Sequence, residues 1–285
     1  MEFVLGGRFA GQRAYAYTGP CHATDAPDPA RPALVFIHGA QHDHSVWALQ
    51  SRFFLEHGWR VLAPDLPGHG RTPGPALASV EAMADWLLAL LDAAGIASAL
   101  LAGHSMGSLV ALEAASRAGA RARALALLGT AWPMQVSEAL LACARTDEAR
   151  AIDMVNLWSY AAPLAGLAAA PGVSLPGANR RLMQRMAARN PAQLLHTDFS
   201  ACNAYTGGAA AAARVSCPAL FILGRRDAMT PPRAAQALVK AMPQAQVLQL
   251  DCGHALMAEQ ADAVGDALAA FAHAASRGAG AAGVE

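Results

Sequence analysis

Lysine is almost absent. Lys240 is the sole one among 21 basic residues, which 21 acidic residues balance to a net charge of zero. No basic run or stripe appears, so the electrostatic footprint of a nucleic-acid binder is missing. Long apolar runs are missing too: the Ala-rich stretch from Ala161 to Ala170 is too short to span a bilayer. The opening Met1-Glu2-Phe3-Val4-Leu5-Gly6-Gly7 has no basic region leading into an apolar core, so no secretory leader is expected. The cysteines, Cys21, Cys143, Cys202, Cys217 and Cys252, are odd in number and lack CxxC spacing. They read as reduced thiols of a cytoplasmic protein rather than as a disulfide framework or a zinc site. What the chain has in abundance is apolar residues, 54% of 285, enough to bury one large domain or one domain with an insertion.

Short apolar runs recur, each followed by a Gly- or Pro-containing turn and then a helical pattern. They are Ala33–Ile37, Val61–Ala63, Ala99–Ala102, Leu125–Leu128, Ala219–Leu223 and Val247–Leu250. Such strands alternating with helices predict a parallel sheet covered on both faces. Val80, Met83, Ala84, Leu87, Leu88 and Leu91 share a helical spacing, with Ser79 as N-cap and Gly95 as terminator. Phe3–Leu5 and Gln12–Tyr17 predict an antiparallel pair at the sheet edge. Between Ala131 and Arg214 the rhythm breaks into helical segments over Ser137–Tyr160, Asn179–Arg189 and Pro191–Cys202, with no convincing strand. That span is expected to lie as a lid over the C-terminal edge of the sheet. Residues 276–285, rich in Gly and Ala, read as a disordered tail.

Gly103-His104-Ser105-Met106-Gly107 stands between a predicted strand and a predicted helix. Strand, Gly-x-Ser-x-Gly turn and helix describe a nucleophile elbow: the serine is held in a strained, left-handed backbone conformation that only small residues two positions away tolerate. A serine hydroxyl needs a base, and the base needs a group to orient it. Asp227, just past the strand ending at Leu223, and His254, just past the strand ending at Leu250, stand in the required order. Asp251 is a rival acid, but lies in the same loop as His254 and suits a turn. Backbone amides of Met106 and Ala40 are the candidate donors to an oxyanion, with His38 bracing the loop. Gln41, Trp132, Met134 and Trp158 are candidates to line a substrate cavity.

His42-Asp43-His44 resembles a metal cluster only superficially, because a loop i, i+2 pair supplies part of a coordination sphere and no partner pattern accompanies it. No metal and no organic cofactor is expected. Asp65-Leu66-Pro67-Gly68-His69-Gly70-Arg71-Thr72 is a Gly-rich turn without the Lys-Ser/Thr ending of a phosphate cradle.

Taken together, His38-Gly39, Asp65–Gly70, Gly103–Gly107, Gly224-Arg225-Arg226-Asp227 and Cys252-Gly253-His254 resemble an α/β-hydrolase of the serine-nucleophile branch over residues 12–273. The resemblance implies an α/β fold: a mostly parallel, twisted sheet of about eight strands with helices on both faces. Its core would comprise residues 1–130 and 214–275, and its helical cap residues 131–213. It also implies a Ser105–His254–Asp227 triad acting on a small-molecule ester. Ser105 departs from the aspartate of dehalogenase and epoxide hydrolase branches. His104 and Ala255 fit carbon–carbon bond hydrolases poorly, and Ser108 stands where many relatives carry a third glycine. Carboxylic ester hydrolysis is the leading expectation, followed by lactonase, thioesterase or carbon–carbon hydrolase activity. A non-catalytic ligand-binding protein on the same scaffold is the alternative of another class.

Overall fold

The β-branched and leucine-rich runs form strands whose successive side chains leave opposite faces, and both faces are buried. The computed structural model describes residues 1–20, 31–161, 174–190 and 193–281, with side chains through Ala275. Its strands are β1 (Glu2–Val4), β2 (Arg13–Tyr17), β3 (Ala33–Ile37), β4 (Arg60–Pro64), β5 (Ala99–His104), β6 (Ala122–Leu128), β7 (Ala219–Gly224) and β8 (Gln246–Leu250). They form one eight-stranded sheet in the order β1-β2-β4-β3-β5-β6-β7-β8. The β1–β2 and β2–β4 pairs are antiparallel, and every pair from β4 to β8 is parallel.

Alternation within single strands divides the core. Leu34, Phe36, Ala102, Leu128 and Ile222 join Phe54 of α1 (Ala48–Glu56) and Leu268 of α11 (Ala261–Ala281) on one face. Val35, Ile37, Leu101 and Leu127 join Leu87 of α2 (Val80–Ala93) and Leu109 of α3 (Met106–Ala118) on the other. Ser79 Oγ accepts the Ala82 amide at the start of α2, and Gly95 closes its end at φ +62°. On the face shared with α2 and α3, α9 (Gln236–Ala241) buries Leu238, and on the face shared with α11, α10 (Leu256–Glu259) buries Leu256. β8 is the outer strand and its side chains are largely exposed, unlike the buried run its composition predicts.

Between β6 and β7 the described residues form α4 (Glu138–Thr146), α5 (Glu148–Ser159), α6 (Leu175–Arg189), α7 (Leu194–Ala204) and α8 (Gly208–Arg214). The single segment predicted over 137–160 is two helices, because Asp147 leaves helical geometry (φ −149°, ψ 73°) and accepts the Arg150 amide to cap α5. Helices α4 to α7 share a core of Leu140, Ile152, Val155, Met183, Leu195 and Phe199. In contrast, α8 sends Ala211 and Ala212 into the cluster around α3, so the last helix between β6 and β7 packs with the main helical layer. Helix α11 continues through Ala281, where the composition predicts a disordered tail from 276; residues 282–285 lie outside the described ones. Cys21 and most of the Ala161–Ala170 stretch also lie outside them.

The register places the site. Ile37 pairs with Gly103, His104 with Leu128, Leu128 with Ile222 and Gly224 with Leu250. The loops after β3, β5, β7 and β8 therefore leave the sheet along one edge, where open parallel sheets hold their ligands.

Candidate active site

Ser105 sits between β5 and α3 with φ +53° and ψ −122°. This is a region that a residue with a Cβ occupies only under constraint. The constraint is steric. A Cβ on Gly103 would run into the Gly107 carbonyl and lie 2.7 Å from the Ser108 nitrogen. A Cβ on Gly107 would run into the His38 and Ile37 carbonyl oxygens. Because backbone blocks both, Gly107→Ala is expected to lower stability by about 1–3 kcal/mol, the usual cost of overpacking. A thermal midpoint equal to that of the wild type would show the turn to be looser than this geometry. Ser108, the departure from a third glycine, braces the elbow: its Oγ lies 2.5 Å from the Ser105 carbonyl oxygen and 2.7 Å from Thr130 Oγ1.

The loop after β3 comes against the elbow. A Cβ on Gly39 would lie 3.2 Å from Ser105 Cβ, so the close approach requires glycine or a small displacement there. His38 Nε2 accepts the Leu66 amide at 3.0 Å, and its Nδ1–H donates to the Gly39 carbonyl at 2.8 Å. Burial keeps its pKa well below the ordinary histidine value, as this neutral bracing pattern requires. Gln41 has φ +52°, and its amide donates to Asp198 Oδ2 at 2.8 Å. The Ala40 amide has no acceptor among the described residues. Met106 is the first residue of α3, where an amide has no intrahelical acceptor. Ser105, Ala40 and Met106 border one cavity of about 180 Å³, walled by Met134, Leu140, Trp158, Phe199 and Met229.

Asp227 and His254, on different loops, meet directly: His254 Nδ1–H donates to Asp227 Oδ2 at 2.8 Å. Asp227 Oδ1 accepts the Met229 and Thr230 amides, each at 2.8 Å, and Oδ2 also accepts the Thr230 hydroxyl at 2.7 Å. Burial favours the neutral acid. The His254 charge and hydrogen bond, with the Thr230 contacts, outweigh it and bring the Asp227 pKa down to about 2. The folded carboxyl thus lies below the unfolded value of about 4. Its contribution, about 2–3 kcal/mol, is present above pH ~4 and is lost as pH falls from ~4 to ~2. Asp227→Asn is expected to flatten the stability profile across that window in acid titrations followed by circular dichroism.

The rival Asp251 is exposed and pairs with Arg226 at 2.8 Å, away from His254. Among the described residues the Ser105 hydroxyl makes no hydrogen bond; catalytic hydrogen bonds of unliganded sites often form only with substrate. Of the other candidates, Met134 and Trp158 border the Ser105 cavity, whereas Gln41 and Trp132 do not. Gln41 is fully buried and donates from Nε2 to Glu148 Oε1 on α5 at 2.7 Å, tying the loop to the insertion. Trp132 covers Gly208, where a Cβ would strike its indole ring.

Four supporting residues escape a reading of sequence. His104 Nε2–H donates to the His254 carbonyl at 2.8 Å, and the two rings lie 4.6 Å apart. Glu259 accepts the Gly253 and Ala161 amides at 3.0 Å each; burial raises its pKa against those two bonds. Ser159, the last residue of α5, accepts the His254 amide at 2.8 Å. Thr230 had only an Asp-x-x-Thr spacing to advertise it. Asp43, His44 and Asp65 form the one group of three close metal-type donors among the described residues. Protein donors occupy them: Asp65 accepts from the His44 and Arg71 amides at 2.8 Å, and Asp43 from the Ser45 amide at 2.9 Å. The cluster shapes the loop after β3.

A mostly parallel eight-stranded sheet with a strained serine elbow at its C-terminal edge is the architecture of an α/β-hydrolase. The alpha/beta hydrolase family model matches residues 34–267, and the chain belongs to that family of enzymes. The chain is 34% identical over 246 residues to a pimeloyl-[acyl-carrier protein] methyl ester esterase of Aromatoleum aromaticum, covering 79% of this chain and 92% of the relative. Among solved structures it shares its fold with the enol-lactonase from Burkholderia xenovorans LB400, at TM-score 0.78 and 24% identity, over 92% and 97% of the two chains. It shares it equally with a thermophilic esterase from Thermogutta terrifontis, at TM-score 0.78 and 21% identity, over 96% and 98%. No helix among the described residues is long and apolar enough to cross a membrane.

Proposed function

We propose that the protein hydrolyses carboxylic esters of small or medium-sized molecules through an acyl-enzyme on Ser105. In this reading His254 Nε2 takes the Ser105 proton as Oγ attacks the acyl carbon. Asp227 orients the imidazole through Nδ1–H and stabilises its charged form. The Ala40 and Met106 amides receive the negative charge on the tetrahedral oxygen. Collapse of the intermediate expels the alkoxide, which His254 protonates; water, deprotonated by His254, then cleaves the acyl-enzyme to acid and free serine.

The observation that carries this reading is the convergence at one sheet edge. A strained serine shares a cavity with the Ala40 amide, which has no acceptor among the described residues, and with the first amide of α3, while the loops after β7 and β8 on the same edge carry a histidine bonded to a buried carboxylate. Helices α4 to α7 act as the cap, with Met134 and Trp158 facing the acyl group. The esterase relative supports ester chemistry, and the lactonase neighbour makes cyclic esters a natural extension, since the attacked bond is the same.

The experiment is covalent labelling with a fluorophosphonate followed by a panel of esters, thioesters and lactones. Labelling at Ser105 with ester turnover is expected. Absence of both would return the scaffold to a ligand-binding role.

A further inference from the structure

A second, larger cavity is bordered by His254, and the ionisable groups on its described wall are built for charge of one sign. It measures about 410 Å³ and is bordered by His42, His104 and His254 together with Asn179, Arg181 and Arg185 of α6. No carboxylate borders it among the described residues. The undescribed stretch 162–173 contains no Asp, Glu, Lys, Arg or His. Tyr160, its one acidic phenol, donates to the Leu175 carbonyl at 3.2 Å. Among the described residues, every other ionisable side chain on its wall is a base.

Burial decides which of these bases are charged. It lowers the pKa of His42 to about 4 and that of His104 well below the ordinary value, so both are neutral near pH 7. His42 is held by Nε2–H donating to Asn179 Oδ1 at 2.8 Å. The fixed positive charge belongs to the guanidinium groups of Arg181 and Arg185, exposed at the cavity wall one helical turn apart. Like charges at that spacing repel. Their neighbours on α6 are engaged: Arg180 pairs with Asp153 at 2.6 Å, and Arg189 donates to the Gly70 carbonyl at 3.1 Å. Arg181 and Arg185 have no carboxylate partner among the described residues. Two adjacent, unspent forks suit a carboxylate or phosphate.

We propose that this chamber takes the leaving-group half of the substrate and that this half carries an anionic group bound by Arg181 and Arg185. The assignment rests on the proposed ester hydrolysis, because the group that protonates the leaving oxygen must lie on its side. His254 borders the larger chamber, whereas the acyl carbon must sit in the smaller one, by Ser105, Ala40 and Met106. The smaller chamber then takes the acyl group.

Matched acetates test this: 4-acetoxybenzoate against its methyl ester, and 4-acetoxyphenyl phosphate against the neutral phenol acetate. For the wild type, kcat/KM is expected to favour the anionic member by roughly tenfold at low salt, with the gap closing as salt rises. The pair with the larger ratio tells carboxylate from phosphate. In the R181Q/R185Q double variant both ratios should fall toward one, and R181K/R185K should restore part of the preference. R123Q, at the opposite end of the sheet, should leave the ratios unchanged. Equal turnover of charged and neutral acetates, or ratios unaltered in the double variant, would overturn the proposal. Binding of benzoate against benzamide, measured by calorimetry, reports without turnover. Charge-selective binding with no ester turned over condemns the reaction assigned to Ser105 and leaves the anion site standing. Absence of charge-selective binding removes the anion site.

Discussion

Ser105→Ala is expected to lower ester turnover by up to about a millionfold, to the level sustained by binding and the oxyanion donors alone. The size follows from the nature of the step. Without Oγ there is no acyl-enzyme, and His254 and Asp227 have no proton to move. The residual rate would come from substrate binding and from the Ala40 and Met106 amides proposed to face the carbonyl. Stability should hardly change, because alanine at φ +53° carries the same backbone strain as serine and the Ser105 hydroxyl makes no hydrogen bond among the described residues. The check is single-turnover kinetics with labelling of the wild type and variant side by side. Near-native turnover by the variant would remove Ser105 from the mechanism. Asp227→Asn should cost less, about ten-thousandfold, since it spoils the tautomer of His254 without removing the nucleophile.

Asp198→Ala is expected to be the most destabilising single change in helices α4 to α7, and to reduce activity from a distance. Asp198 of α7 is fully buried, and its Oδ2 accepts both His69 Nε2–H at 2.9 Å and the Gln41 amide at 2.8 Å. Burial disfavours the His69 imidazolium, but the Asp198 charge and hydrogen bond prevail, and the His69 pKa rises above the ordinary value. Removing one partner of such a pair leaves a buried charge uncompensated, at about 3–5 kcal/mol. It also releases Gln41 from its positive-φ conformation one residue after Ala40, so the loop carrying this proposed oxyanion donor can relax. Loss of one such donor is worth about a hundredfold or more in kcat.

Asp198→Asn separates the two effects. The amide oxygen can still accept from Gln41, so activity should be largely kept, while the ionic contribution disappears. In the wild type that contribution is full below the ordinary histidine pKa and is lost as pH rises through the elevated pKa of His69. Thermal midpoints measured across that range should fall for the wild type and stay flatter for Asp198→Asn. An Ala variant that unfolds early yet keeps full kcat would show that α7 does not hold the loop after β3 in a catalytically important geometry.

Much of the site was legible because the chemistry and the backbone constrain the same short stretches. Gly103, Ser105 and Gly107 could be read together since a strand-to-helix turn of that tightness excludes side chains two residues either side, which the Gly107 and His38 carbonyls enforce. Asp227 and His254 were readable because each follows an apolar strand by a few residues. The cap was harder. Trp132 and Gln41 look like cavity residues by type, yet one covers Gly208 and the other reaches Glu148. Nothing local distinguishes an aromatic that lines a cavity from one that fills a helix junction.

By itself, then, the amino-acid sequence determined the order of strands, the elbow, and the places of Ser105, Asp227 and His254 just past strand ends, because those depend on local sterics and on spacing. Only the tertiary structure decided how the site is held and divided. Asp198 meets His69 across 129 residues, Glu259 meets Ala161 across 98, and His104 meets the His254 carbonyl across 150. It also decided that His254 borders the larger cavity, with Arg181 and Arg185, while Ser105 borders the smaller one. Such contacts depend on how packed layers bring distant side chains together, and no local pattern encodes that.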